Sequence, residues 1–403
     1  MLKKFFLSTA SAFLVFNAGV LAQQTTPIKV GELNGSSNPI TTAVPFLNIT
    51  PDARGGAMGD VGVATSPDPN STYWNAAKLA FIDKGYGVSI SYNPWLRKLV
   101  NDMALSYVSG YMKIRKEEVI GLSLTYFDLG SIQFTNDKGD NLNKFSPNEL
   151  AVAGTYSRKL SKNMSVAVSL KYIYSNLAGS IATSSGTEPA SAGQTAAADV
   201  GYFYTKELSI KGTKNNLAFG ANISNVGAKI SYSNESQKDF IPSNLRVGSS
   251  FTHELDPYNK VIFSLDFNKL MVPTPPVYVK DANGNNTNVI AAGKAPGDGV
   301  LSGVLGSFSD APGGFKEELR EITISSGAEY WYNNLFAVRA GYFNESKFKG
   351  NRKYITAGFG LKYQVFTLDV AYLVPFEQNN PLAETLRFSL SFNFDKATES
   401  VKE

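Results

Sequence analysis

Residues Leu386 to Phe394 limit what this chain can fold into more than any other stretch: every even position is apolar and every odd one polar. A period of two belongs to a β-strand with one apolar face and one wet face. Similar alternation appears in Phe366, Leu368, Val370 and Tyr372, in Ile355, Ala357, Phe359, Leu361 and Tyr363, and in Phe336, Val338, Ala340 and Tyr342 around Arg339. Comparable runs lie near 322–330, 259–267, 244–253, 217–224, 196–204, 164–174, 149–158, 119–127, 103–112 and 86–93. The pattern predicts about fourteen strands, each near the ~10 residues that cross a bilayer at a tilt. An even number lets one chain close an antiparallel barrel with both ends on the same side.

A soluble sandwich alternates in the same way, so composition and connections must separate the two. Charged residues make up only 18% of the chain and aromatics 12%, against roughly a quarter charged in an ordinary soluble domain. No apolar stretch of ~20 residues, the length of a spanning helix, follows the first 22 positions. The connections 113–118, 159–163, 254–258, 331–335 and 364–365 are short, whereas 128–148, 175–195, 225–242, 268–321 and 374–384 are long. Long and short alternate, with 205–216 the main irregularity, as in a barrel with short periplasmic turns and long outer loops. Aromatics gather at strand ends (Tyr92 and Trp95, Tyr172 and Tyr174, Tyr202 and Tyr204, Tyr330 to Tyr332, Phe392 and Phe394), where an interfacial girdle needs them. The expected fold is all-β: a transmembrane antiparallel β-barrel of about 14 strands with an N-terminal plug.

Residues 1–22 read as a signal peptide, with Lys3 and Lys4 before a short apolar core and small residues ahead of a cut after Ala22. Residues 23–44 read as a flexible periplasmic lead-in, 45–85 as the plug, 86–394 as the barrel with its largest outer loop at 268–321, and 395–403 as a polar tail. The plug assignment comes from a conflict of composition. Residues 45–81 are dense in Gly, Pro, Asp and Asn, yet carry Phe46, Leu47, Ile49, Met58, Tyr73, Trp74, Leu79 and Phe81. Such a segment cannot be one regular element, nor leave that much apolar surface in water.

Chemistry is scarce. The chain has no cysteine and a single histidine, His253, which removes disulfides, thiolate metal sites and the usual nucleophile–base pairs. Once Lys3 and Lys4 are removed, 36 basic residues face 34 acidic ones, so no nucleic-acid partner is expected. The loops 136–141 and 281–286 resemble calcium loops but lack the required spacing and terminal Glu. The run Arg54 to Asp60 is Gly-rich but lacks the Lys-Ser/Thr of a phosphate cradle. No metal and no cofactor is expected. Lys171, Asp266, Glu329, Arg339, Asp369 and Arg387 fall on inward positions, where they should pair with one another or with Asp52, Arg54 and Asp60. The 268–321 loop is unusually apolar for an outer loop, which suggests a lid or docking surface.

The run Pro51 to Ala64, PDARGGAMGDVGVA, followed by Pro69 to Ala80, PNSTYWNAAKLA, resembles the PorV family of the type IX secretion system. That family is related in fold to the FadL long-chain fatty-acid transporters, whose plug has an Asn-Pro-Ala element where this chain reads Asn75-Ala76-Ala77. Ser309 to Leu319 and the later strands look similar too. The resemblance implies a non-enzymatic barrel that binds the translocon barrel (SprA, also called Sov) and captures cargo proteins by their C-terminal signal domains. It would then pass them to the PorU-containing attachment complex, with outer-membrane lipids around the barrel. On this reading the plug residues are Pro51, Asp52, Arg54, Gly59, Asp60, Trp74 and Asn75. Partners would meet Trp95, Pro273, Pro275, Tyr278, Leu301, Leu305, Phe315 and Phe376. The alternative is a FadL-like transporter for fatty acids or other hydrophobic molecules.

Overall fold

The structure, a computed structural model, describes residues 37–97, 100–135, 141–177, 191–210, 212–232, 238–297, 299–377 and 380–395. The expected signal peptide, residues 23–36 of the lead-in, most of the 136–141 loop and the tail after Asp395 lie outside the described residues.

Each of the fourteen expected runs is a barrel strand. The first half of the wall is β1 Tyr86–Pro94, β2 Ala104–Lys113, β3 Glu118–Asp128, β6 Asn148–Lys159, β7 Met164–Asn176, β8 Gly193–Ile210 and β9 Thr213–Gly227. The second half is β10 Asn244–Glu254, β11 Asn259–Leu270, β14 Ile322–Tyr332, β15 Phe336–Asn344, β16 Lys353–Tyr363, β17 Phe366–Pro375 and β18 Leu386–Phe394. Neighbours pair antiparallel in chain order, and β1 pairs with β18 to close the wall, Tyr86 opposite Phe394. Two small hairpins lie in the long connections: β4 Ile132–Thr135 with β5 Asn141–Phe145, and β12 Val277–Lys280 with β13 Asn286–Ala292.

The pleat sorts side chains opposite to the way a soluble barrel would. On β18, Arg387, Ser389 and Ser391 are buried while Phe388 and Leu390 face out; on β1, Ser89, Ser91 and Asn93 are buried while Val88, Ile90 and Tyr92 face out. Polar inside and apolar outside is stable only when the outer solvent is hydrocarbon. The girdle expectation needs two corrections: Trp95 packs on the buried Phe46 and Leu47 cluster, and Trp331 turns inward beside Ile262 and Ala337, because its neighbours Tyr330 and Tyr332 hold the outward positions of the pleat. The irregular connection also resolves. The β8 and β9 strands run on to Ile210 and Thr213, which pair with each other, and Gly212 stands at φ +84 between them. All turns at that end of the barrel are therefore short.

Residues 37–44 lie at the opposite, long-loop end. The Asn38 amide donates to the Phe348 carbonyl at 2.8 Å and its side chain to Pro275 O at 3.2 Å, while the Ala43 amide donates to Phe240 O at 3.0 Å. The described part of the expected periplasmic lead-in thus sits in the outer mouth. From there the chain descends through the lumen to Gly85, whose amide meets Phe394 O at the short-turn end. A lumen filled from outside to inside has to enter at the loop end, which local sequence could not reveal. Because the chain has no cysteine, single substitutions report this path cleanly. On intact cells, Ser37→Cys should react with a membrane-impermeant maleimide, and Lys84→Cys should not. The reverse pattern would refute the threading direction.

Candidate functional site

Val44 to Ile82 touch strands around the whole circumference, so the segment occupies the interior. It is built from short pieces, including α1 Ala53–Ala57, α2 Ser71–Trp74 and a 3-10 turn at Ala76–Phe81. Asp52 caps α1, its Oδ2 accepting the Gly55 amide at 2.8 Å, and its Oδ1 accepts the Trp74 indole N–H at 2.6 Å. The indole is wedged where side chains are absent: a Cβ on Gly55 or Gly62 would stand 2.4 or 2.0 Å from its ring. Asn75 accepts the Ala77 amide and donates to the Val63 and Tyr202 carbonyls, tying the 3-10 turn to β8.

Wall contacts are of two kinds. The first is backbone against backbone at inward glycines. Gly220 faces the Val63 carbonyl and Gly327 faces Met58; Gly341, paired with Gly327, faces Gly59, itself at φ +73. The second is charge. Glu329 accepts from Arg54 at 2.9 Å and from Arg339 at 2.6 Å; Arg339 reaches Asp369 at 2.8 Å, Arg54 reaches Asp68 at 2.9 Å, and Arg387 reaches Asp60 at 2.6 Å. Pairing among the inward charges, Arg54 and Asp60 follows the expectation. Lys171 pairs instead with Asp199 on β8, and Asp266 accepts the Gly62 and Val63 amides. Asp52 engages Trp74 and Gly55 rather than an arginine. Pro51 offers only its carbonyl, to Asn93 at 2.7 Å. All seven residues expected in a plug therefore lie together in this segment.

Sequence reasoning passed over Lys78, fully buried and donating to Gly62 O at 2.7 Å and Thr65 Oγ1 at 3.0 Å. A lysine amid the apolar run Ala76 to Phe81 was the available signal.

Above the lumen sits a lobe formed by the 271–321 connection, with α3 Val300–Gly306 and α4 Phe315–Arg320. Buried ion pairs clamp it down: Lys269 to Glu318 at 3.0 Å and to Glu321, and Lys349 to Glu317 and, at 2.9 Å, to Glu321. These acidic and basic residues are far apart in sequence, so no local pattern marked them. The residues expected to meet partners divide in two. Trp95 packs on the Phe46 and Leu47 cluster, Pro273 lies against Gly303, Pro275 accepts from Asn38, and Tyr278 is half-buried. Leu301, Leu305 and Phe315 stand in water, 69, 72 and 76% exposed, and Phe376, 62% exposed, meets Tyr342 edge-on. His253 donates a hydrogen bond from Nδ1 to Asn215 Oδ1 and stacks on Phe251. In the 281–286 loop, Asp281 accepts the Asn283 and Asn285 amides, the work of a turn carboxylate.

Asp310, in the lobe, has its pKa raised to about 6, chiefly by burial and further by Glu318 and Glu321, against the opposing Thr274 amide. A carboxyl group whose folded pKa exceeds its unfolded value stabilises the closed lobe fully at low pH, and that contribution fades as pH rises through about 4 to about 6. Hydrogen exchange of the lobe, corrected for intrinsic rates, should show easier opening at pH 7 than at pH 4, by at most about 3 kcal/mol. Asp310→Asn should flatten the profile, and an unchanged slope in that variant would assign it elsewhere.

Two cavities flank the segment. One of about 350 Å³ lies at the outer end, lined by Thr50, Asp60, Arg246, Glu321 and Arg352 among others. One of about 870 Å³ lies at the short-turn end, lined by Phe81, Lys159, Lys162, Phe203 and Lys206 among others.

A closed fourteen-stranded wall, apolar outside and polar inside, with its own N-terminal segment in the lumen, defines an outer-membrane β-barrel. Residues 33–277 match the family model described as type IX secretion system protein PorV. The chain belongs to the PorV family. No curated protein sequence matches it. Among solved structures, the CymD monoaromatic hydrocarbon channel is similar at 14% identity, covering 88% of this chain and 100% of that one, with a TM-score of 0.47. The Pseudomonas putida toluene transporter TodX matches at 12% over 90% and 100%, TM-score 0.47. A Pseudomonas aeruginosa FadL homologue matches at 12% over 89% and 100%, TM-score 0.43.

Proposed function

We propose that this chain is a non-catalytic component of type IX secretion at the outer membrane. It docks on the translocon barrel, SprA (Sov), receives cargo by the C-terminal signal domain, and carries it to the PorU-containing attachment complex. The observation that supports this most is the outer lobe, fixed to the barrel by buried ion pairs while Leu301, Leu305 and Phe315 remain in water. Rigid exposed apolar side chains on short helices are what a partner can bury without first ordering a loop. The lumenal segment serves as the plug that keeps the barrel shut to small solutes.

The alternative, uptake of a hydrophobic molecule, needs an apolar pocket continuous across the membrane. The outer cavity is lined by charged and amide side chains alongside Ile40, Leu270 and Phe343, and the inner one shares no lining residue with it. The test is copurification of the tagged Leu301→Asp, Leu305→Asp, Phe315→Asp variant with translocon and cargo. Loss of both, with cargo retained in the periplasm as in a deletion strain, is the expected result. Normal secretion in the deletion strain together with failed uptake of a labelled fatty acid would overturn the reading in favour of transport.

A further inference from the structure

Six charged side chains line the outer cavity: Asp60, Arg246, Glu321, Glu345, Lys349 and Arg352. Five are matched by opposite charge. Asp60 pairs with Arg387 at 2.6 Å, Glu321 with Lys349 at 2.9 Å, and Glu345 with Arg352 at 2.8 Å. Arg246 is the exception. It is 8% exposed and makes no ion pair within 4 Å among the described residues, although the buried Asp266 carboxylate acts on it at longer range.

How Arg246 is held shows what it has left to offer. Its Nε donates to Asn268 Oδ1 at 2.6 Å, and its guanidinium lies over Trp74 at 4.7 Å and Tyr73 at 5.6 Å from the ring centres. Trp74 covers a face of the guanidinium and the Tyr73 hydroxyl interacts with it, which leaves the remaining terminal N–H groups available. Asn268 has its oxygen engaged by Arg246 and therefore presents its amide N–H groups. Asn244, Thr50 and Thr323 line the same cavity. Donors are thus concentrated where the matched charges leave no further acceptor demand. The cavity is bordered by Ile40 and Thr42 of the outer mouth and by the Lys349 to Arg352 loop, so it is reached from the long-loop end.

We propose that this cavity binds a small polar ligand by a carboxylate, received by the Arg246 fork and the Asn268 amide. A planar guanidinium edge matches a planar carboxylate with two parallel hydrogen bonds, which a single-point cation cannot do. The proposal does not depend on the secretion reading.

Calorimetric titration of the full detergent-solubilised chain with succinate tests it. The expected result is one saturable site per chain, weakened at least tenfold by Arg246→Met and partly by Arg246→Lys, which keeps the charge but not the fork. Should Arg246→Met fail to fold, Asn268→Ala leaves the arginine in place and is expected to weaken succinate several-fold. The assignment is overturned if succinate shows no saturable binding, if it binds Asn268→Ala and Arg246→Met as it binds the parent, or if inorganic phosphate binds more tightly than succinate.

Discussion

Glu329→Ala will destabilise the barrel by about 3–5 kcal/mol, the range for removing one partner from a buried ion pair. Glu329 is fully buried and its two oxygens serve two guanidinium groups, Arg54 from the lumenal segment and Arg339 from the wall. Removing it leaves Arg54 with Asp68 alone and Arg339 with Asp369 alone, so two buried cations face each other across an empty site. The loss should appear as a lower unfolding midpoint in detergent. Trp74 and Trp331 lie close to the affected groups, so tryptophan emission is a suitable probe. A double-mutant cycle with Arg339→Leu should be non-additive, since both side chains belong to one buried network that also includes Asp369. If Glu329→Ala behaved like an exposed substitution, within about 0.5 kcal/mol of the parent, the network would not hold the segment.

Gly341→Val will displace the lumenal segment from the wall and open the barrel to ions. A Cβ at Gly341 would stand 2.0 Å from the Gly59 nitrogen and 2.1 Å from the Met58 carbonyl carbon. Both are backbone atoms, so no rotamer change relieves the overlap, and a Cβ at the facing Gly327 would stand 2.5 Å from the Met58 carbonyl oxygen. Only movement of the segment makes room. Planar-bilayer recordings should show conductance in the variant and little in the parent, with Trp74 emission shifted to the red. Gly154→Ala is the control: it lies on the same wall, yet nothing stands within 4 Å of its added carbon, so it should leave conductance unchanged. A closed Gly341→Val channel would mean that the segment packs elsewhere.

Legibility in the sequence followed the range of the interaction. The alternation in Leu386–Phe394 and its counterparts is local, and all fourteen runs became barrel strands with the apolar side outward. The 205–216 stretch was harder to read because its hairpin outruns the neighbouring β7, whose pairing with β8 begins at Met164 opposite Tyr204. Asp52 and Trp74 bond to each other within the lumenal segment, whereas Asn75 also reaches the wall at Tyr202. Partner candidates were less legible. Composition could not distinguish Trp95, packed on the Phe46 cluster, from Phe315, standing in water.

The sequence by itself determined a lipid-facing wall of about fourteen strands, because a period of two repeated with bilayer length leaves few ways to satisfy the backbone. Only the tertiary structure decided that Asn38 lies at the outer mouth, that Lys269 and Lys349 clamp the lobe, and that Arg246 makes no ion pair among the described residues. Those outcomes depend on closing the barrel, which brings together residues as distant as Asp60 and Arg387. Closure sets distances across the lumen, and electrostatic pairing depends on distance rather than on position in the chain.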